Sequence, residues 1–407
     1  ARDDSHVHEY LIPRRGAGSA LTLAGMTTSW GRIALLYALG VLGAGQLGIM
    51  PLLLPALQAD LGLSLAVAGL AVSIVTLVGA VIGLPAGGWC EAIGHARALA
   101  IGLLIMASAA ALCAIAESAA LLLGARALAG LGYLLVAVAG PTLMALSAQP
   151  CHQPLALSLW GTFVPVGIAL GGLAAARFAE SAAWRTLFAV DGILLASALI
   201  VSHLALAPAP PSLRRERSIS WAALRAALPL GTAFFCFALL FLALAGLLPT
   251  YLVDVRGLPA ADAARIVAVA TAAGIAGSLA AGGLMRRGLS PATLIAIGLL
   301  VSTVLAALSL LDSLPLVLAI AGFAAAFAVG GLVPAATFAS VPRIAGDARA
   351  IGPINGLLAQ TGSLGSLAGP PLLAVWIEST SWTLAPALLL AIAAVGTIAA
   401  FAVRPRR

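Results

Sequence analysis

Apolar runs of roughly 20 residues with almost no charge inside them recur along the whole 407-residue chain, and few folds accept that pattern. A soluble helix keeps one polar face, whereas these runs, rich in Ala, Leu, Gly and Val, suit helices packing closely in lipid. Strands of a membrane barrel would alternate polar and apolar residues over about 10 positions, and no such alternation appears. Composition agrees: 62% of residues are hydrophobic and 9% charged, where soluble proteins carry roughly a quarter charged. The expected fold class is an all-α membrane protein.

In the middle of the chain a polar stretch interrupts the apolar text. Pro208, Pro210 and Pro211 cannot continue a helix, and Arg214, Arg215, Glu216 and Arg217 cannot rest in hydrocarbon, so this stretch lies in water. Twelve spans are expected, at roughly 31–56, 65–87, 98–116, 120–145, 156–178, 186–207, 227–252, 263–284, 291–311, 315–341, 353–376 and 384–403. Six precede the polar stretch and six follow it. The organisation is then a tail over 1–29, a six-helix bundle over 30–207, a linker over 208–226, a second bundle over 227–403 and a short tail over 404–407. The first 29 residues lack a basic start followed by a long apolar run and a cleavage site, so they read as a cytoplasmic tail. His6 and His8 belong to that solvated tail, not to a metal site.

All 21 basic residues are arginines, and they fall unevenly across the connectors. Arg32, Arg97, Arg225, Arg286, Arg287, Arg343 and Arg349 lie on the linker side, whereas Arg177, Arg185, Arg256 and Arg265 share the other side with Asp60, Glu117, Glu180, Asp254, Asp262, Asp312 and Glu378. By the positive-inside rule the linker and both termini are cytoplasmic. The net charge of +7 does not point to nucleic acid, because the arginines sit in short connectors with no aromatic interleaving. The four cysteines, Cys90, Cys113, Cys151 and Cys236, have no CxxC spacing and read as small packing residues.

The two halves echo each other at an offset of about 195 residues. Gly62-Leu63 answers Gly257-Leu258, Gly87-Gly88 answers Gly282-Gly283, and Pro141 answers Pro334. Gly161 and Gly167 answer Gly356 and Gly362, and Glu180 to Trp184 answers Glu378 to Trp382. A six-helix unit was duplicated.

Four local signatures on this frame resemble those of the major facilitator superfamily, whose members pair two six-helix halves. After span two, Gly87, Glu91, Gly94 and Arg97 match the spacing of the family's Gly-x-x-x-Asp-Arg-x-Gly loop, with Glu for Asp and with Ala92, His95 and Ala96 for the usual basic residues. Arg126-Ala127-Leu128-Ala129-Gly130-Leu131-Gly132 is similar to the Arg-x-x-x-Gly-x-Gly signature of span four. Pro165 to Gly172 resembles, with Pro and Gly out of order, a signature of proton-driven exporters, and Gly167 with Gly171 permits close helix contact. Trp184-Arg185-Thr186-Leu187-Phe188 resembles the entry to helix six, read as an interfacial anchor.

The resemblance implies a twelve-helix carrier in two pseudo-symmetric bundles, working by alternating access. It implies a cytoplasmic gate where Glu91 meets the start of span eleven near Gly352 and Pro353, with Arg349 close by. An arginine in the membrane costs about 2.5–3.5 kcal/mol on insertion scales, so Arg126 either faces the bundle interior or snorkels to the nearby span end. Polar and aromatic side chains near mid-membrane are the pathway candidates: Gln46, Arg126, Tyr133, Phe234, Phe237, Phe241, Phe327, Gln360 and Ser363. Spans one, four, seven, eight and ten hold no carboxylate, so Asp191 in span six, with Arg126, is the candidate for proton coupling. Asp191 paired with Arg185 as a helix-end acid is the competing reading, and His203 reads as structural.

The expected function is secondary transport of a small organic solute, neutral, amphipathic or weakly anionic, with protons as the candidate coupling ion. No cofactor or metal is expected, and the chain reads as a monomer in the bacterial cytoplasmic membrane. A polytopic membrane enzyme is the main alternative, but no Gly-x-Ser-x-Gly, HExxH or Asp pair occurs within the spans. A non-transporting sensor on the same fold is a third. Uptake of a small anion such as cyanate or a carboxylate and export of drug-like compounds stand open against each other.

Overall fold

The computed structural model describes residues 27–178, 183–206 and 221–403. The expected N-terminal tail up to residue 26, the linker over 208–220, the tail over 404–407 and Glu180 lie outside the described residues.

Helices account for nearly all of the rest. The first half contains α1 (Trp30–Leu61), α2 (Leu65–Ile93), α3 (His95–Ala114), α4 (Ala119–Leu146), α5 (Gln153–Trp160), α6 (Phe163–Ala176) and α7 (Trp184–Ala205). The second contains α8 (Trp221–Asp254), α9 (Ala260–Arg286), α10 (Pro291–Ser309), α11 (Leu316–Gly330), α12 (Leu332–Ala345), α13 (Ile351–Ser379) and α14 (Ala385–Ala402). Two of the expected spans are interrupted in mid-membrane. Span five is α5 and α6, broken at Gly161 and Thr162, and span ten is α11 and α12, broken at Gly331. Ser278 Oγ donates to the Gly331 carbonyl at 2.7 Å, tying the break to α9.

Among the described residues eleven spans are long and apolar enough to cross a membrane by length and composition. The twelfth, α13, has 29 residues, about 44 Å at the α-helical rise, but its five glycines and its Asn355, Gln360, Thr361 and Ser363 dilute its apolar content. It tolerates them because its first turns are buried between other helices, with the helix packed on α8, α2 and α4.

Three of the helix starts rest on serine. Ser64, Ser118 and Ser290 accept the N–H groups of Val67, Leu121 and Thr293 at 3.3, 3.3 and 3.1 Å, filling donors that a helix start leaves open. The turns after α1 and α8 both need glycine: Gly62 and Gly257 have φ of 62° and 69°. They are repeat-related positions, so the duplication is visible in backbone conformation as well as in letters.

Packing separates the halves. One apolar cluster draws its buried residues from Ala223 to Ala400 only, while two others run from Ile33 to Leu206 and from Ile49 to Phe188. Each half repeats the same tight helix pair. In the first, a methyl group on Gly48 would strike the Ile168 carbonyl, and one on Gly171 would strike the Gly45 carbonyl, so α1 and α6 touch backbone to backbone. In the second, Gly365 and Gly369 press α13 against the carbonyls of Phe235 and Leu239 on α8. This explains the close contact that Gly167 and Gly171 predicted for span five, and span eleven uses Gly365 and Gly369 in the same way.

The halves meet at the end where the linker joins them. Gly87 packs on Gly352, Pro353 and Gly356, and its repeat partner Gly282 packs on Leu155 and Ser158. Gly161, at the break in span five, lies against Ala335 of α12. Ala145, Leu157, Ala339, Met285 and Phe338 close an apolar seam there, and Asn355 Nδ2 donates to Thr142 Oγ1 at 3.0 Å. The linker end of the bundle is shut.

Candidate functional site

Inside the first half, three of the sequence candidates form one buried polar chain. Arg126 on α4 is 0% exposed, Gln46 on α1 is 1% exposed and Asp191 on α7 is 6% exposed. The Arg126 guanidinium donates from Nη1 to Gln46 Oε1 and from Nη2 to the Gln46 carbonyl, both at 2.9 Å, and from Nε to the Ala71 carbonyl on α2 at 3.3 Å. Gln46 Nε2 in turn donates to Asp191 Oδ2. The Gln46 amide thus lies between a cation and an anion with its oxygen toward the first and its N–H toward the second. Every dipole in the chain points the same way, which strengthens each bond in a low-dielectric surrounding.

Arg126 does not snorkel. Its guanidinium makes three hydrogen bonds to two other helices of its own bundle, α1 and α2, which satisfy the cation inside the protein. Asp191 does not pair with Arg185 either. Arg185 is held by Asp60, by the Ala116 carbonyl at 3.0 Å and by the Trp184 ring, 4.2 Å from its centroid. Trp184 itself is fully buried and donates to Asp60 at 3.1 Å, so the Trp-Arg pair is a clasp between span ends and not an anchor spread at the membrane surface. The indole N–H finds a carboxylate inside the protein, which removes its reason to seek the lipid headgroups.

The aromatic candidates gather in the second half. Phe234, Phe237 and Phe241 share one face of α8 at i, i+3 and i+7, with ring centroids 5.9 and 5.6 Å apart. Phe327 of α11 meets Phe241 edge-on at 5.2 Å, and Phe338 of α12 meets Phe234 at 5.9 Å. Beside this row a small cleft, with about 20 Å³ of free space, is lined by Phe237, Phe241, Phe323 and Phe327 with Ser302 and Thr303. Tyr133 stands apart in the first half, 6.4 Å from Phe163 and among the apolar side chains around Trp160.

Gln360 and Ser363 do not join either group. Both face α2 across the boundary between the halves: Gln360 Nε2 donates to the Ala80 carbonyl at 3.0 Å, its Oε1 accepts from Leu84 N–H at 3.2 Å, and Ser363 lies over Gly79. Sequence reasoning missed this use of Gln360. The signal was the stripe Gly79, Gly83 and Gly87 at i, i+4 and i+8, which marks the face of α2 where another helix must come close.

At the gate Glu91 lies where the resemblance implied, against the start of α13, while Arg349 does not reach it. The Glu91 carboxylate lies beside Gly352 at the start of α13, and its Oε2 is 3.1 Å from His95 Nε2, the first residue of α3. Arg349 faces Asp347 at 4.0 Å, and Arg97 is exposed, with no hydrogen-bond or ion-pair partner among the described residues. His95 occupies a position that is usually basic in the resembling family and takes the carboxylate for itself. Gly94, with φ of 90°, supplies the turn that brings His95 back over Glu91.

Comparison with known proteins agrees with this architecture. The sequence profile described as Major Facilitator Superfamily matches residues 34–308. A curated relative, the MFS-type transporter grgE of a Penicillium species, is 31% identical over 91 residues; the match covers 22% of this chain and 16% of that protein's length. Among solved structures, the transporter FucP in its outward conformation superposes with a TM-score of 0.75 at 18% identity, covering 92% of this chain and 99% of FucP. The E. coli fucose:proton symporter form of FucP gives a TM-score of 0.72 at 17% identity, covering 92% and 98%. The human organic anion transporter MFSD10 gives 0.69 at 17%, covering 92% and 99%. At such identities the likeness establishes the fold, while the profile match over most of the chain establishes the family. With its many membrane-crossing helices and a profile match over most of its length, the protein is a multi-pass membrane transporter of the Major Facilitator Superfamily and not an enzyme.

Proposed function

We propose that the protein is a proton-coupled secondary carrier for a small, amphipathic, uncharged or weakly anionic organic solute. It works as a monomer in a bacterial cytoplasmic membrane with the linker and both termini inside. Rocking of the 30–207 bundle against the 227–403 bundle, joined by the 208–226 linker, exposes the path to each side in turn. In that orientation the shut linker end is the cytoplasmic one, so the present state is closed to the inside.

The observation that carries the coupling is the chain Arg126, Gln46, Asp191. Among the described residues Asp191 is the one carboxylate well inside a span, and it neutralises Arg126 through a single amide. A proton arriving on Asp191 removes that balance and leaves the Arg126 cation uncompensated. A weakly anionic solute then gains what the proton took away, so proton and solute favour each other's binding. The aromatic row of Phe234, Phe241 and Phe327, across from the first half, gives the solute's apolar body an uncharged wall; Tyr133 adds to it from the other side.

Proteoliposomes with an imposed pH gradient, screened with labelled carboxylates and uncharged aromatic solutes, test the reading. The expected result is accumulation that follows the gradient, its sign giving the direction, and an Asp191→Asn protein that still exchanges solute but no longer accumulates it. Gradient-driven accumulation undiminished in Asp191→Asn would remove the coupling role.

A further inference from the structure

The backbone of α2 leaves helical geometry at Ile82, with φ of −118° and ψ of 15°, three residues before Pro85. Pro85 has no N–H and crowds the carbonyl four residues back, so the helix is weakened here by its own sequence. The α-helical bond that spans Ile82 runs from Leu84 N–H to the Ala80 carbonyl. Those two groups are the ones that Gln360, from the other half of the molecule, takes with its side-chain amide. The orientation of that amide is set by its partners, a carbonyl that can only accept and an N–H that can only donate. Gly83 makes the approach possible, since a methyl group there would lie 2.6 to 2.8 Å from the Gln360 backbone and Cβ.

We infer that Gln360 is a gating residue whose amide props open the weak turn of α2 and so couples the bend of that helix to closure of the linker end. When the halves part there, Gln360 withdraws, Leu84 N–H closes on Ala80, and α2 straightens. The two states exchange one set of hydrogen bonds for another, so neither leaves the backbone groups bare in a membrane. The inference uses the carrier reading only for its consequence, and its test reads conformation, not transport.

The test uses Gln360→Met, similar in length but unable to bond, in the full chain with Cys151→Ser. Two readouts are taken: maleimide labelling of a cysteine placed at Ser158, which the closed linker end covers, and the spin-label distance between positions 70 and 92, on either side of the bend. Losing two hydrogen bonds predicts about tenfold faster labelling and a longer distance. Gly83→Ala, which pushes Gln360 away while leaving its amide intact, is expected to do the same, and Gln360→Asn to fall between. Unchanged labelling in a folded, monodisperse Gln360→Met protein overturns the inference. So does faster labelling with an unchanged distance, which would make Gln360 an ordinary contact between the halves.

Discussion

Asp191, Gln46 and Arg126 show how a single buried charge dictates its surroundings. Removing one member leaves the other charge without compensation, a loss of about 3–5 kcal/mol, whereas removing both charges leaves a neutral interior that packing can fill. Arg126→Leu and Asp191→Leu are therefore each expected to lower the unfolding temperature in detergent, and the double substitution to recover much of the loss while transport stays absent. A double-mutant cycle on unfolding temperature measures this, and additive losses would show that the two charges do not communicate. The candidates were legible in the sequence because Gln, Arg and Asp stand out in an apolar run. Their connection was not, because it depends on how α1, α4 and α7 rotate about their axes. Gln360 was legible as a polar side chain but not as a partner of α2, since nothing in its own helix points to a weak turn 276 residues away.

Spans could be placed from hydropathy to within a few residues of the observed helices, because lipid penalises every charge and every open backbone group alike. The breaks in spans five and ten were less legible. Gly161-Thr162 and Gly330-Gly331 do not differ in composition from glycines that stay helical, and only the tertiary bond from Ser278 to Gly331 reveals what holds one of them. Glycine on these helices has two meanings that structure alone separates. Gly171 meets the α1 backbone, so Gly171→Val would force α1 and α6 apart and is expected to cost several kcal/mol and most of the folded yield. Gly124 on α4 has nothing within 4 Å of an added methyl group, and Gly124→Ala is expected to leave stability unchanged or slightly raised. Thermal unfolding of the two proteins side by side checks the contrast, and equal losses would contradict the backbone contact between α1 and α6.

For the whole molecule, duplication sets where the two halves can touch. Gly87 on α2 and Gly282 on α9 are repeat-related, and each receives the partner half at the linker end, one through α13 and the other through α5. A rocking motion must separate both contacts together. The Ser158 Cβ lies 3.1 Å from the position a Cβ on Gly282 would take, slightly closer than the usual disulfide separation of about 3.5–4.5 Å and on facing helices. A Ser158→Cys/Gly282→Cys protein, with Cys151→Ser to remove the exposed native thiol, is expected to cross-link under mild oxidation in the closed state. Once cross-linked it cannot open at the linker end, so solute flux should fall to the level of empty liposomes and return on reduction. Binding from the opposite face should persist throughout, because a disulfide at one end leaves the other free. Flux that continues through the oxidised protein would mean that the halves do not part along this seam, and the gate would have to lie elsewhere.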